Sequence, residues 1–218
     1  MAKKQKKEVD IKINNIKVEE KESTKYLGTF IDNKLTWKIQ IQHIKTKLAR
    51  GIGMISKIRY YVDEACLLKM FYSFVQSHIN YNILNWSCTQ KTNLTPIENK
   101  LKKAIRVISF APTRYDHTNP LFKQHNILPF HKHVSLRKAI FMWKLAHGYQ
   151  PDIIAEFFTE NLHNQYKYVL PHPRNESAKT YFVYSCIKEW TVVPDTLKTT
   201  STLSNFTLKY KTHLLDGI

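Results

Sequence analysis

The stretch Lys25-Tyr26-Leu27-Gly28-Thr29-Phe30-Ile31-Asp32, with the long basic segment that follows it, decides the fold of this chain. Gly28 is one of only five glycines among 218 residues, and glycine lets the backbone turn sharply. The stretch therefore predicts a strand, a tight turn at Gly28 and a second strand. It also contains residue types that pack on a half-buried sheet, namely Tyr26, Leu27, Phe30 and Ile31.

The segment from Thr36 to Arg59 changes to a helical period. Thr36 is the expected N-cap, and Gly51 and Gly53 would each cost about 1 kcal/mol relative to alanine. The two glycines therefore predict a kink or a close contact with another backbone. Apolar residues at helical spacing predict one buried face: Ile41, Ile44, Leu48, Ile52, Ile55 and Ile58. Basic residues occupy the other faces: Lys38, Lys45, Lys47, Arg50, Lys57 and Arg59.

Two further helices are predicted to complete a three-helix bundle. Asp63 begins the first of them, and Thr95-Pro96-Ile97-Glu98 predicts the start of the second through a capping box. The first would bury Leu67, Leu68, Phe71, Phe74, Val75 and Ile79, and the second would bury Ile97, Leu101, Ala104, Ile105 and Ile108. The second helix would also expose basic residues, including Lys103 and Arg106. We expect the bundle to present one continuous basic surface beside the Gly28 turn.

The remaining segments predict a mainly α protein with a small N-terminal β part. Alternating apolar residues predict two or three short strands over residues 8–32, with a turn at Asn14-Asn15. A short helix at Leu121-Phe122, a helix over Phe130–Tyr149 and a helical turn over Ile153–Phe158 follow. Residues 159–177 are polar and predict a linker, and residues 178–193 look strand-like from Tyr181, Val183 and Ile187. The expected divisions are 1–33, 34–111, 112–158 and 159–218.

The charge of the chain predicts a polyanionic partner. Its formal net charge is +17, from 34 lysines and arginines against 17 acidic residues, and 43% of its residues are hydrophobic. A folded protein this basic most often meets nucleic acid. A basic surface kept for solubility, a ribosome-associated protein and a membrane-surface protein are the other readings.

The residues that could bind metal or form disulfides are sparse. Cys66, Cys88 and Cys186 are far apart and form no CxxC pair, so we expect a reducing compartment and no zinc ribbon. The histidines 117, 125, 131 and 133 match no standard zinc spacing. No cofactor is therefore expected. The lysine-rich N-terminus has no apolar core of a signal peptide, and no segment has the ~20 apolar residues of a membrane span, so we expect a nuclear or cytoplasmic protein.

Several short patterns in a fixed order resemble a known family. Tyr26-Leu27-Gly28, Ile31-Asp32, Leu35-Thr36-Trp37 and His43-Ile44 are similar to the end of the palm and the start of the thumb in reverse transcriptases of non-LTR retrotransposons, the jockey/CR1 type of LINE element. The resemblance continues through the Tyr81 to Trp86 spacing, Ile105-Arg106-Val107-Ile108 and the C-terminal Trp190 to Pro194.

The resemblance implies roles for particular residues. Tyr26, Leu27 and Gly28 would correspond to the primer grip, which holds the end of the growing strand. The basic thumb would bind an RNA or RNA–DNA template–primer through Lys38, Lys45, Arg50, Lys57, Arg59, Lys103 and Arg106. The missing palm and fingers of the parent polymerase would be a further partner.

The catalytic part of that family is not in this sequence. A polymerase needs paired aspartates that hold two metal ions, and the chain contains no Asp-Asp pair. We therefore expect a truncated, non-catalytic fragment of a reverse transcriptase that binds nucleic acid. A non-functional decayed reading frame and a domesticated helical module that binds another protein are the alternatives.

Overall fold

The computed structural model describes residues 11–111, 117–160, 168–173 and 179–218, so the lysine-rich start lies outside the described residues. The described chain is mainly helical with a small N-terminal β part, as the sequence predicts. Strands β1 (Lys12–Ile13) and β2 (Ile16–Lys17) form one antiparallel hairpin, and β3 (Ser23–Tyr26) and β4 (Thr29–Asp32) form another. None of the helices it describes has the length and apolar content that crossing a bilayer requires.

Both hairpins turn through two residues with left-handed backbone. Asn14 and Asn15 have φ of 50° and 62°, and Leu27 and Gly28 have φ of 44° and 80°. Turns with two such residues match the twist of the strands that they join. The predicted turns at Asn14-Asn15 and Gly28 are thus confirmed, and Tyr26 pairs with Thr29 across the second one.

Helix α1 (Lys38–Ile58) follows β4 after five residues, and an aspartate rather than a threonine organises its start. The Asp32 carboxylate accepts backbone N–H groups from Thr36 at 2.9 Å and Trp37 at 2.8 Å. The prediction that Thr36 is the N-cap is wrong, since Trp37 holds that position with a φ of 61°. The predicted apolar stripe is confirmed, with Ile58 only partly buried.

The second predicted helix is continuous, but one of its turns is π-helical instead of α-helical. Asp63 caps α2 (Glu64–Phe71) by accepting the N–H of Cys66 at 2.8 Å, as predicted. A π-helical turn (Tyr72–Gln76) links α2 to α3 (Ser77–Asn80), and α4 (Ile83–Trp86) follows. The extra residue of a π-turn shifts the faces of a helix. Phe74 is accordingly 39% exposed, against the prediction, whereas Leu67, Phe71, Val75 and Ile79 are fully buried.

Helix α5 (Lys91–Ile108) begins a full turn earlier than the capping box predicts. The Thr95 hydroxyl donates to the Lys91 carbonyl at 3.1 Å, as a residue inside a helix does, and does not cap the start. Pro96 is consequently inside the helix. The predicted stripe is confirmed, since Ile97, Leu101, Ala104, Ile105 and Ile108 are all buried.

The remaining helices divide between the first core and a second core. They are α6 (Thr118–Gln124), which joins the first core through Phe122, α7 (Phe130–Ala146), α8 (Asp152–Ala155), α9 (Phe182–Val192), α10 (Asp195–Lys198) and α11 (Leu203–Asp216). The predicted strand-like tail over 178–193 is wrong, because Cys186, Ile187 and Trp190 are buried at helical spacing on α9. The C-terminal helix α11, absent from the sequence expectations, buries Phe206, Tyr210 and Leu214.

Helix α7 belongs to both cores. Its first turns place Phe130 and Val134 in the core built around α1, α2 and α5. Its remaining length places Leu136, Met142 and Trp143 in the core that it shares with α9 and α11. The expected unit 112–158 is therefore divided between two cores.

Candidate nucleic-acid interface

A groove with a basic lining runs between α1 and α5. Helices α1 and α5 point the same way, since Lys38 lies near Asn93 at one end and the Arg59 guanidinium lies 3.4 Å from the Val107 carbonyl at the other. The main recess has a volume of about 1020 Å³ and continues into one of about 190 Å³. Seven cationic side chains line what we call the α1–α5 groove: Lys38, Lys45, Arg59, Lys100, Lys102, Lys103 and Arg106.

Among the described residues, acidic side chains are nearly absent from the α1–α5 groove. No aspartate or glutamate is among the described residues that line it. Glu98 lies beside it and pairs with Lys102, with 2.6 Å between Nζ and Oε1. Within the described ranges, no carboxylate forms an ion pair with Lys45, Lys100 or Lys103. A recess lined by one sign of charge raises the local concentration of the opposite charge.

Arg59 is a groove cation that several contacts hold in place. Its guanidinium carbon lies 4.6 Å from the centre of the Tyr60 ring and 4.9 Å from that of Phe110. It also donates to the Tyr60 hydroxyl at 2.5 Å and to the Val107 carbonyl. A guanidinium fixed in this way loses less side-chain freedom when it binds an anion.

The β3–β4 hairpin is anchored at its turn but exposes the side chains there. The Tyr81 hydroxyl donates to the Leu27 carbonyl, and the Asn82 amide donates to the Thr29 hydroxyl at 3.1 Å. Tyr26 is 64% exposed and Leu27 is 74% exposed. The expected half-burial of these two side chains is therefore wrong, because the hairpin packs through Thr29 instead.

A second group of cations surrounds the hairpin. The Phe30 N–H donates to the Gln40 side-chain oxygen at 3.0 Å. The Phe30 ring packs on the His43 ring, with 5.2 Å between the ring centres. Burial lowers the pKa of His43, and the nearby charges of Lys47, Lys25, His78 and Arg50 lower it further. Basic side chains therefore gather on this flank of α1 as well.

The predicted site residues divide between these two surfaces. His43 contacts the hairpin, and Lys45, two residues later, lies about 200° further round α1. The single continuous basic surface expected from the sequence is thus two surfaces on opposite flanks of this helix. Lys38, Lys45, Arg59, Lys103 and Arg106 lie in the groove, whereas Tyr26, Leu27, Gly28 and Arg50 lie on the hairpin side. Lys57 is exposed and lines neither recess of the groove.

Sequence reasoning left Lys100 and Lys102 out of the site. A usable signal was present, because groove residues recur along one face of α5 at helical spacing. They are Thr92, Thr95, Pro96, Asn99, Lys100, Lys102, Lys103 and Arg106. The early start of α5 hid this signal, since the first of these residues precedes the predicted helix.

The titratable residues elsewhere belong to the packing between helices. His125 lies 3.1 Å from the Glu64 carboxylate through Nδ1 and 2.7 Å from the Ser109 hydroxyl through Nε2. Burial lowers the pKa of His133 to about 4, and its Nε2 lies 2.6 Å from the Asn80 side-chain oxygen. Over the described ranges no three such side chains come together as a metal site. The three cysteines are free thiols, and Cys186 is buried.

No family model matches the chain, and no curated protein or solved structure matches it either.

Proposed function

We propose that this chain binds a nucleic-acid duplex along the α1–α5 groove, as a thumb-like fragment of a non-LTR retrotransposon reverse transcriptase. The observation that carries the proposal is the groove itself, with seven cationic side chains and no described acidic lining residue. The preferred duplex is a template–primer, either RNA or an RNA–DNA hybrid. A chain with this function meets its partner in the nucleus or the cytoplasm.

The dimensions of the groove support a duplex. Residues 92–107 of α5, which line it, span about 22 Å at 1.5 Å per residue. A duplex carries one phosphate charge per about 1.7 Å of its axis, so several phosphates fall within reach of the lining cations. The wide, shallow minor groove of an A-form duplex admits a helix that reads shape rather than sequence. Binding of this kind is independent of sequence.

The chain is proposed to bind without catalysing polymerisation. It contains no Asp-Asp pair, and Asp32, which belongs to the matching Ile31-Asp32 pattern, accepts the N–H groups at the start of α1. The hairpin residues Tyr26, Leu27 and Gly28 are proposed to contact a strand end. These residues lie on the flank of α1 opposite the groove, so a strand end that leaves the groove must pass around α1 to reach them. A palm and fingers supplied by another chain could guide the strand end there.

Salt dependence tests the proposal. Fluorescence anisotropy with a 16-base-pair RNA–DNA hybrid, at several salt concentrations, should give a plot of log affinity against log salt with a steep negative slope. Lys45→Gln/Lys103→Gln should make that slope shallower by about 2, because each lost phosphate contact removes about one unit. The loss should be equal for hybrids of different sequence.

A charge-matched control separates the groove from the overall charge. Lys188→Gln/Lys209→Gln removes the same charge from exposed positions on α9 and α11 in the second core. This variant should keep the wild-type slope. Equal losses in the two double variants would contradict binding in the groove, and a folded wild-type chain that binds no hybrid at low salt would contradict the function.

The alternative function is a helical module that binds another protein. Exposed apolar side chains on the first hairpin favour it, since Ile13 and Ile16 are 64% and 73% exposed. An acidic protein partner would compete with the hybrid for the groove, whereas an apolar partner would not. A decayed reading frame, the remaining alternative, predicts no cooperative unfolding and no specific loss on removing groove charge.

A further inference from the structure

Three aromatic rings stand exposed where the α1–α5 groove ends. Tyr60 and Tyr61 follow α1 and are 70% and 84% exposed, and Phe110 follows α5 and is 44% exposed. Arg59, which lines the groove, lies against the rings of Tyr60 and Phe110. The Tyr60 and Phe110 rings therefore continue the groove from a charged lining into an aromatic one, and Tyr61 is the next residue after Tyr60.

From this arrangement we propose that Tyr60, Tyr61 and Phe110 form a stacking site for an unpaired nucleobase. The ligand is the single-stranded end of a nucleic acid whose duplex part lies in the α1–α5 groove. This inference rests on the proposed function, since the groove cations hold the backbone that delivers the base. We call these three residues the aromatic end.

The chemistry of the aromatic end fits a base better than a phosphate. Aromatic rings and a guanidinium plane offer flat surfaces on which any base can stack, with little dependence on sequence. The Tyr60 and Phe110 rings meet at 67° with 5.8 Å between their centres, so each ring leaves a face that the other does not cover. Bases inside a duplex are stacked on one another, so an unpaired base is the one available.

The backbone at Phe110 supports a role for its ring. Helix α5 closes with the Ala111 N–H donating to the Arg106 carbonyl at 3.0 Å, and Phe110 lies between them with a φ of 52°. Glycine commonly occupies this left-handed position because a β-carbon there is strained. The strained side chain is the one that packs on Arg59, so the fold places this ring at the end of the groove.

An abasic overhang separates stacking from phosphate binding. Three RNA–DNA hybrids of 16 base pairs are compared by anisotropy: blunt, with a four-nucleotide overhang, and with the same overhang lacking its bases. The wild-type chain should bind the normal overhang at least fivefold more tightly than the abasic one. The phosphate number is equal in these two probes, so the difference reports the bases alone.

Variants at the aromatic end should abolish this preference. Tyr61→Ala removes the most exposed ring, and Phe110→Gly removes a ring while relieving the strained backbone, so the fold should be kept. Each should lower the ratio of normal to abasic affinity towards one. Phe157→Ala, which removes a ring that is 66% exposed and adjoins the core residue Phe158 in the chain, should leave the ratio unchanged.

The outcomes distinguish this site from the groove. If the wild-type chain binds both overhangs equally and still shows salt-dependent binding of the blunt hybrid, the stacking site is refuted and the groove stands. If Lys45→Gln/Lys103→Gln weakens all three probes and retains the ratio, both are supported. If no probe binds at low salt, both the groove and the stacking site are refuted.

Discussion

The carbonyl oxygen of Phe74 lies 2.6 Å from the position that a β-carbon on Gly51 would occupy. Gly51 is in the buried face of α1, and Phe74 is in the π-helical turn that links α2 and α3. Close backbone approach of this kind requires glycine. Gly53, two residues later, has no atom outside its own surroundings within 4 Å of such a β-carbon. Of the two outcomes expected for the glycines, the close contact is confirmed at Gly51 and not at Gly53.

The two glycines give a matched pair of substitutions. Gly53→Ala should raise the free energy of unfolding by about 0.5–1 kcal/mol, because alanine favours the helix. Gly51→Ala should lower it by about 1–3 kcal/mol, because overpacking against a backbone carbonyl outweighs the same gain in helix propensity. Urea unfolding followed by circular dichroism measures both. Stabilisation by Gly51→Ala would contradict the contact between α1 and the π-helical turn.

The carboxylate of Asp32 is expected to matter for the start of α1. Asp32→Asn should lower the free energy of unfolding by about 1 kcal/mol at pH 7, because an amide oxygen accepts the N–H groups of Thr36 and Trp37 less strongly than a carboxylate. Burial opposes ionisation of Asp32, but the hydrogen bonds from these backbone groups outweigh it and lower its pKa.

A lowered carboxylate pKa fixes the direction of the pH dependence. The stabilisation is present above the pKa of the unfolded chain, about 4, and is lost as the pH falls through the folded-state pKa. The difference in unfolding free energy between wild type and Asp32→Asn should therefore shrink on acidification below pH 4. A difference that stays constant down to pH 2 would contradict the capping role.

His133 should make the protein less stable in mild acid. Its folded-state pKa of about 4 is below the usual value of 6.5, because burial disfavours the imidazolium and Arg137 and Lys211 repel it. The unfolded chain therefore takes up a proton first, and stability is lost as the pH falls from 6.5 to 4, by up to about 3 kcal/mol.

The variant His133→Gln tests this by removing the titrating group and keeping a polar side chain near Asn80. Its stability should change less than that of wild type between pH 7 and 4.5, whatever its stability at pH 7. Burial also lowers the pKa of His43 and His78, so these two histidines likewise reduce the stability of the fold as the pH falls. If the unfolding free energies of the variant and wild type changed equally with pH, protonation of His133 would not be the cause of the loss of stability.

The Tyr81 hydroxyl should hold the β3–β4 hairpin on the helices. Tyr81→Phe removes the hydrogen bond to the Leu27 carbonyl and should cost about 1 kcal/mol. Because this bond lies at the turn, amide exchange should speed up first in β3 and β4 and much less in α5. Tyr72→Phe, at another exposed tyrosine, should leave exchange in the hairpin unchanged.

The sequence predicted the buried stripes and the turns well, because these depend on local spacing. Ile97 to Ile108 and the two left-handed turns needed only periodicity and residue type. The residues Tyr181, Val183 and Ile187 also have apolar spacing, but it fits either a strand or a helix. Packing of Cys186 and Trp190 against α7 and α11 decides for the helix, and no local pattern contains that information.

The candidate site was harder to predict than the core. Which flank of α1 a lysine faces depends on where α5 packs, and α5 begins before its apparent capping box. Lys45 and Arg50 therefore looked equivalent in the sequence although they lie on different surfaces. The contact of the Phe110 ring with Arg59 joins residues about fifty positions apart, so no local pattern predicts it.

Because α7 contributes residues to both cores, the chain cannot be cut near this helix into two fragments with complete cores. A fragment that ended before Phe130 would lack two buried residues of the first core, Phe130 and Val134. A fragment that began after Val134 would contain only part of α7, the helix against which α9 and α11 pack. Heat or denaturant should accordingly unfold both cores in one step, and proteolytic cleavage inside α7 should also destabilise the α1–α5 groove, although α7 does not line it.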